Sequence, residues 1–522
     1  MQYSETAVLV VGGGAAGAML SLELARYGVA ARTVDRLAGP TVTSKAITVH
    51  ARTAEIFTRI DPRLGQRFLD RAVHNKGYVL HFVDDAGKRS EVRPGLDFTH
   101  IDSPYPFILV HGQSDTERVL REYLRDEYGR GTEWGVECAS VQLDGDAVLA
   151  TLRHADGSEE RVRCRYLVAC DGANSRVRRA LNLVQDESDY AGTKMQNMDV
   201  YLHGFPDADD WVHYCAGTSH FIMIVKLPGG YHRLLLSDRG EAADPNVAPR
   251  RAFANLVDQH FDGVELGDVL WHSRWESSVR LAHTYRAGNV FLAGDSAHVH
   301  STTGGQGMNC CIQDAYNLGW KLGLVLAGAA PSELLDSYET ERRPIAEQVI
   351  WAASSLHDIF MRHGKSIAER RARMDDTAFL DAVVGRCSGL SYTYRGCLPQ
   401  VGGLEGPANG DRAPDVAFAG GQWLHASGAA TSFALRAVYS DAAATPALRQ
   451  RLDALATRYG ATLDIATLRR SREFTARYGA EPVDQLVLLR PDGYLGYRCA
   501  ASDFDGLERY LAGVLLPRGG VA

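Results

Sequence analysis

The chain is predicted to be an α/β protein. A parallel sheet is begun, left for a β-rich insertion and then resumed, and a small α/β unit follows at the C-terminus. Three observations predict this. A strand–glycine loop–helix–strand unit opens the chain, alternating strand patterns fill its middle, and a short buried strand ending in Gly-Asp returns near residue 290.

The opening unit runs from an apolar stretch at 6–11 through Gly12-Gly13-Gly14-Ala15-Ala16-Gly17 into a helical pattern over 19–27. Gly28 stops that helix, and 29–34 form a second strand ending at Asp35. This is G-x-G-x-x-G in its strand–turn–helix setting, with an acid eighteen positions after Gly17, and it marks a Rossmann-like dinucleotide site. Gly12 permits the tight turn, Gly14 lets the backbone approach a pyrophosphate, and Gly17 lets the helix pack on the sheet. Asp35 is placed to accept from a ribose hydroxyl.

Further along, 141–152 alternate around Asp144-Gly145 as a hairpin, and 165–169 form a buried strand ending at Asp171-Gly172. Strands dominate 195–237, with Pro228-Gly229-Gly230 as a turn. In the strand at 220–225, His220, Ile222 and Ile224 share one face and Phe221, Met223 and Val225 the other. One face is expected to back a core and the other to line a pocket. The returning strand, 290–293, leads into Gly294-Asp295-Ser296-Ala297-His298, then Gly304-Gly-Gln-Gly-Met-Asn309 and a helix. The Asp295 carboxylate suits a polyol, and the bare amides of the helix start suit developing negative charge. Helical patterns continue to about His363, with a kink at Pro344. Residues 385–414 read as a connector, and 432–516 read strand–helix–strand–hairpin–helix.

A net charge of −8 argues against a nucleic-acid surface. No apolar run reaches membrane-span length, and the N-terminal segment lacks the basic n-region of a secretory signal. Nine scattered cysteines, without C-x-x-C or metal-type spacing, point to a reduced, cytoplasmic setting and to no metal.

The glycine fingerprint, Cys170-Asp-Gly-Ala-Asn-Ser-Arg176 and Ala293-Gly-Asp-Ser-Ala-His298 resemble, in order and spacing, the three signatures of the flavoprotein aromatic hydroxylases. These are single-component FAD monooxygenases typified by p-hydroxybenzoate hydroxylase, and the resemblance covers about residues 5–350. Gly410-Asp-Arg-Ala-Pro-Asp415 and Val487-Leu-Leu-Arg-Pro-Asp-Gly-Tyr494 are similar to the thioredoxin-like domain of phenol and polyketide hydroxylases, here without C-x-x-C.

The resemblance implies an FAD-binding domain over 1–185 and 280–385, with 70–112 contributing to the substrate region. It implies a β-rich substrate domain over 186–279, a linker over 386–412 and a thioredoxin-like domain over 413–522. It further implies bound FAD, transient NADPH or NADH, and oxygen from O2 inserted into a small phenolic or otherwise activated aromatic ring through a C4a-hydroperoxyflavin. FAD would be held by Gly12, Gly14, Gly17, Asp35, Arg36 and Lys45, with Gln113 at the ribityl chain and Asp171 shared with the nicotinamide. Gly294 and Asp295 would meet the ribityl and pyrophosphate, and Gly307, Met308 and Asn309 the N1–C2=O edge of the flavin ring. His50, Arg52 and His220 are the substrate-pocket candidates. Each has a bland reading beside it: a polar helix or strand end for the first two, a core or rim histidine for His220. The chain departs from the family at Ser301-Thr302-Thr303, where relatives often have proline, and at Lys45, where they often have arginine. Epoxidation or inactivation of an aromatic polyketide or antibiotic by the same chemistry is the alternative, and a flavin-binding sensor is the non-enzymatic one. A homodimer is left open.

Overall fold

The computed structural model describes the chain apart from residues 1–2, 85, 87, 90–91, 207–209, 219, 238–246, 362–365, 426–430, 440–444, 480–482 and 520–522, and apart from the side chains of 93, 188–193 and 277. Its first sheet carries the strands Val290–Leu292, Glu159–Ala169, Ser4–Val11, Ala31–Asp35 and Thr132–Trp134 side by side, all parallel. Val8, Leu9 and Val10 are fully buried, as parallel strands covered on both faces require. The hairpin Val136–Asp144/Ala147–His154 extends the strand Glu159–Ala169 antiparallel.

The second sheet has eight strands and takes Gly77–Phe82 and Arg93–Asp97 from before the first sheet is complete. Its strand Phe221–Lys226 alternates as the sequence predicts. Phe221 and Val225 face a cluster with Tyr78, Phe98 and Phe360, while Ile222 and Ile224 face the helix Pro249–His260 through Phe253 and Val257. The helix expected to reach about His363 ends at Phe360, and His363 lies outside the described residues. Two further helices follow, Ile367–Met374 and Thr377–Ser388, and the second runs through 385–388, the start of the stretch that the sequence reads as a connector.

The C-terminal unit is a four-stranded sheet in the order Leu463–Arg469, Phe433–Tyr439, Gln485–Leu489, Leu495–Ala500. The first two strands are parallel and the other pairings antiparallel. The strand Leu463–Arg469 and the helix Arg472–Tyr478 lie beyond what the sequence pattern predicts. That strand is an edge strand with mixed burial, so its alternation is weak in the sequence.

The turn between the last two strands wedges into the first unit. Arg490 donates two hydrogen bonds to Glu341, at 2.7 and 2.8 Å, and pairs with Asp492 at 2.5 Å. Lys321 reaches the same Glu341 at 2.8 Å, and Trp320 donates to Asp492 at 3.2 Å. All these charges are buried, and burial alone would raise the Glu341 carboxyl, but Arg490 and Lys321 hold it down at about 2. Arg490→Ala should therefore strand a buried carboxylate pair and cost about 3–5 kcal/mol. A lowered melting temperature and faster proteolysis within 390–412 are expected; an unchanged melt would show the wedge to be dispensable.

On the outer face of the second sheet lie two histidine pairs, His81 with His213 at 2.8 Å and His220 with His260 at 2.9 Å. Burial disfavours their cations and lowers them to about 4, 3, 4 and 2 respectively. An unfolded imidazole titrates at about 6.5, so these groups add nothing above that pH. Below it the unfolded chain binds protons that the fold refuses, and stability falls by up to ~1.4 kcal/mol per pH unit for each histidine. The urea midpoint should thus drop between pH 7 and pH 5, and His260→Gln should shrink the drop.

Candidate active site

Parallel pairing puts the ends of three strands in line. Val11 is in register with Ala169, and Ala169 with Leu292, so the three motifs leave the sheet at one edge. That edge is where ligands dock on open α/β sheets. At Gly12 the backbone is left-handed, with φ +108°, and a Cβ would lie 2.2 Å from the Cys170 carbonyl oxygen. A Cβ on Gly17 would lie 1.8 Å from the Gly12 oxygen. Gly14 differs: its nearest neighbour would be a Glu117 oxygen at 3.6 Å, an ordinary contact. Gly12 and Gly17 are therefore required by the protein itself, whereas the space over Gly14 is left for something else.

Behind that loop the helix Ala15–Arg26 begins, with no side-chain cap on its first amides. Gln113 opens the helix Gln113–Tyr128 and donates to Glu117 at 2.9 Å, which places it beside Gly14. Asp35 accepts from the Gly13 amide at 2.8 Å and the Leu37 amide at 2.9 Å, and keeps lone pairs for a diol. Arg36 and Lys45 are exposed at this edge of the molecule.

Asp171 is placed differently from the sequence expectation. Both its oxygens serve the protein: one accepts from the Arg176 and Val177 amides at 2.7 and 3.2 Å, the other from the Ser296 hydroxyl at 3.0 Å. Arg178, which sequence reasoning missed, ties the same two turns by donating to the Ser296 and Ala173 carbonyls. Asp171 thus joins the second motif to the third. Asp295, by contrast, is exposed, and its carboxylate accepts from the thiol of Cys311 at 3.3 Å. Its neighbour Gly294 is left-handed at φ +63°, and a Cβ there would sit 2.9 Å from Cys311 Sγ and 3.2 Å from Ala16 Cβ. The Asp295 turn is thereby clamped between the starts of the helices Ala15–Arg26 and Gly307–Leu326.

Below this turn Asp314 accepts from His298 and Arg342, each at 2.7 Å, and from the Gly294 amide at 3.1 Å. Burial would raise this carboxyl, but Arg342 and His298 hold it below its ordinary range. His298, Cys310 and Asp314 bring donor atoms within 4.8 Å of one another, a spacing that metals use. The Arg342 guanidinium, bound to both Asp314 and Cys310, disfavours a second cation there. No motif flagged Asp314 or Arg342; their meaning comes from three segments meeting.

The floor helix starts at Gly307 with Gln306 as its N-cap and no side-chain cap. Gly307 is sterically open, Met308 is buried, and the Asn309 amide donates to the Thr48 and Gly305 carbonyls at 2.9 and 2.8 Å. Asn309 also accepts from the His50 backbone amide, and His50 Nε2 lies 2.8 Å from the Gly304 carbonyl. Burial lowers His50 to about 4, so it is a neutral donor that steadies the floor loop against Phe98, 5.6 Å away.

Two pocket expectations are corrected. Arg52 is turned to the C-terminal wedge, bonding the Asp492 carbonyl at 2.5 Å and Glu55 at 3.0 Å, with Tyr494 stacked beneath it. His220 is paired with His260 on the outer face of its sheet, so the alternation that orders this strand also takes it away from the inner, aromatic face. Thr302, at the family's proline position, is exposed.

A parallel sheet edge facing two uncapped helix starts, with an exposed carboxylate between them, has the form of a dinucleotide-binding site. The family described as FAD binding domain matches residues 5–353. Pentachlorophenol 4-monooxygenase of Sphingobium chlorophenolicum is 39% identical over 421 residues, 80% of this chain and 77% of that protein. A Bacillus subtilis (strain 168) protein named as an uncharacterized aromatic compound monooxygenase, YhjG, is 31% identical over 526 residues, 97% of each. Among solved structures, OxyS anhydrotetracycline hydroxylase from Streptomyces rimosus superposes with a TM-score of 0.75 at 28% identity, covering 99% of this chain and 100% of that one. The chain belongs to this FAD-binding family and is an FAD-dependent monooxygenase of the aromatic hydroxylase type.

Gly14→Ala should fold with a near-normal apo melting temperature yet bind FAD at least tenfold more weakly, whereas Gly17→Ala should fail to fold stably. Asp295→Ala should likewise purify with less flavin. Normal flavin content in both Gly14→Ala and Asp295→Ala would remove them from the site.

Proposed function

We propose that this enzyme consumes NADPH or NADH and O2 to hydroxylate a phenolic or similarly electron-rich aromatic ring. The observation that carries the reading is the meeting of the cofactor edge with an aromatic wall. The floor loop at Gly304 touches His50, which stacks on Phe98, and Phe98 belongs to the cluster of Tyr78, Tyr214, Phe221 and Phe360 on the inner sheet face. FAD, when bound and reduced by a nicotinamide, supplies the activated oxygen. Gly12, Gly14 and Gly17 would take its pyrophosphate, Asp35 and Arg36 its adenosine end, and Lys45 and Gln113 the approach to the ribityl chain. Asp171 and Gly294 would set the turn that presents Asp295, and the amides of Gly307, Met308 and Asn309 would receive negative charge at the ring. The protein's own part is placement and exclusion of water, which protects the activated oxygen from decay.

We assign 1–185 with 280–385 to the cofactor domain, 186–279 to the substrate domain and 386–412 to the linker. The C-terminal unit, 413–522, is read as thioredoxin-like. The order second–first–third–fourth, with a parallel first pair and an antiparallel closing hairpin, supports this. Its wedge contacts with Glu341 favour a structural use. Among the described residues no helix is long and apolar enough to cross a membrane, which accords with a cytoplasmic enzyme, alone or as a homodimer.

A second substrate class, aromatic polyketides or polycyclic antibiotics, is favoured by the full-length likeness to OxyS. A panel of phenols and polycyclic aromatics separates the two. The expected result is ligand-stimulated NAD(P)H oxidation coupled to one hydroxylated product. Flavin reduction without product from any ring would leave a flavin-binding sensor.

A further inference from the structure

His300 follows the Asp295 turn and precedes the floor helix, and the reading above gives it no role. Its Nδ1 lies 2.8 Å from the Ser301 carbonyl oxygen. A carbonyl only accepts, so Nδ1 carries the proton and Nε2 is left as a bare lone pair. That Nε2 is shielded from water and has no hydrogen-bond partner among the described residues. A buried polar atom of this kind destabilises the fold unless something else satisfies it. The ring stands at the cofactor edge: its Cε1 is 3.9 Å from where a Cβ on Gly307 would be, and it stacks with His298 at 6.3 Å and 14°. The titratable groups facing it are Asp295 and His298 of its own segment, with Cys310 and Asp314 of the floor helix beyond His298.

We propose that His300 is a flavin-contacting residue whose Nε2 takes up a proton when the bound FAD is reduced. The inference rests on the FAD site described above. Two electrons and one proton reach FAD as a hydride from the nicotinamide and leave one negative charge at the ring edge next to Gly307. One solvent proton then forms the new N–H bond at His300 Nε2, so an imidazolium faces the anion and the pair is neutral. Before reduction, burial first and the neighbouring His298 second lower His300 to about 4, so it begins neutral at working pH. After reduction the adjacent negative charge raises it. Between the two values one extra proton accompanies each two-electron reduction. This matches the floor helix, whose N-terminus favours the same anion but cannot neutralise it.

The test is the midpoint potential of the FAD-loaded protein, followed by spectroelectrochemical titration from pH 5.5 to 8.5. In the wild type each pH unit should change the reduction equilibrium tenfold more than a one-proton reduction does, an added slope of about 30 mV. His300→Gln should return the slope to the one-proton line, lower the potential at neutral pH and weaken FAD binding by less than tenfold. His300→Phe should do the same to the slope. If the variants do not hold flavin, the wild-type slope alone decides: a one-proton line throughout that range overturns the proposal. Wild-type protein that binds no FAD would instead sink the cofactor reading itself, while bound FAD with equal slopes in wild type and His300→Gln sinks only the role of His300.

Discussion

The buried carboxylate of Asp314 is the constraint on which the site depends. It receives the Gly294 amide, the His298 ring and the Arg342 guanidinium, and so joins the returning strand, the floor helix and the long helix Ser337–Phe360 at one point. Without those partners burial would neutralise the acid, and with them it stays charged and saturated. Because its oxygens are occupied, Asp314 does not compete for ligand. It holds the Gly294 turn between two helix starts, and that turn leaves Asp295 turned outward.

A division of labour runs through the three motifs. Asp171, Ser296 and Arg178 face inward and lock turn to turn, while Asp295, the space over Gly14 and the amides of Gly307 and Met308 remain available. The same contrast separates Gly12 and Gly17, which protein atoms require, from Gly14, which they do not. Preorganisation of this kind suits a cofactor that must be gripped along its whole length while its reactive ring meets a second, apolar surface. The inner face of the second sheet supplies that surface, and His50 links it to the floor loop.

Much of this was legible along the chain because the relevant signals are local. A glycine fingerprint, a strand ending in Gly-Asp and the period-two alternation at 220–225 each concern residues a few positions apart. Where the local signal misleads, the deciding contact is distant. Arg52 is called away by Asp492 and Tyr494, some 440 positions on, and Asp171 by Ser296. The edge strand Leu463–Arg469 escaped because its neighbours, not its pattern, make it a strand.

The sequence by itself determined the parallel cofactor sheet, the return of the chain to it, and which glycines a dinucleotide loop needs, since backbone sterics and side-chain periodicity are properties of short segments. Only the tertiary structure decided which polar groups are free. Asp35, Asp171 and Asp295 lie at or just past the ends of strands, and Asp314 lies two turns into the floor helix. Asp295 alone of the four has no backbone amide, arginine or histidine bonded to its carboxylate among the contacts described. That difference is one of packing between remote segments, because a carboxylate's availability depends on what the rest of the fold has already hydrogen-bonded to it.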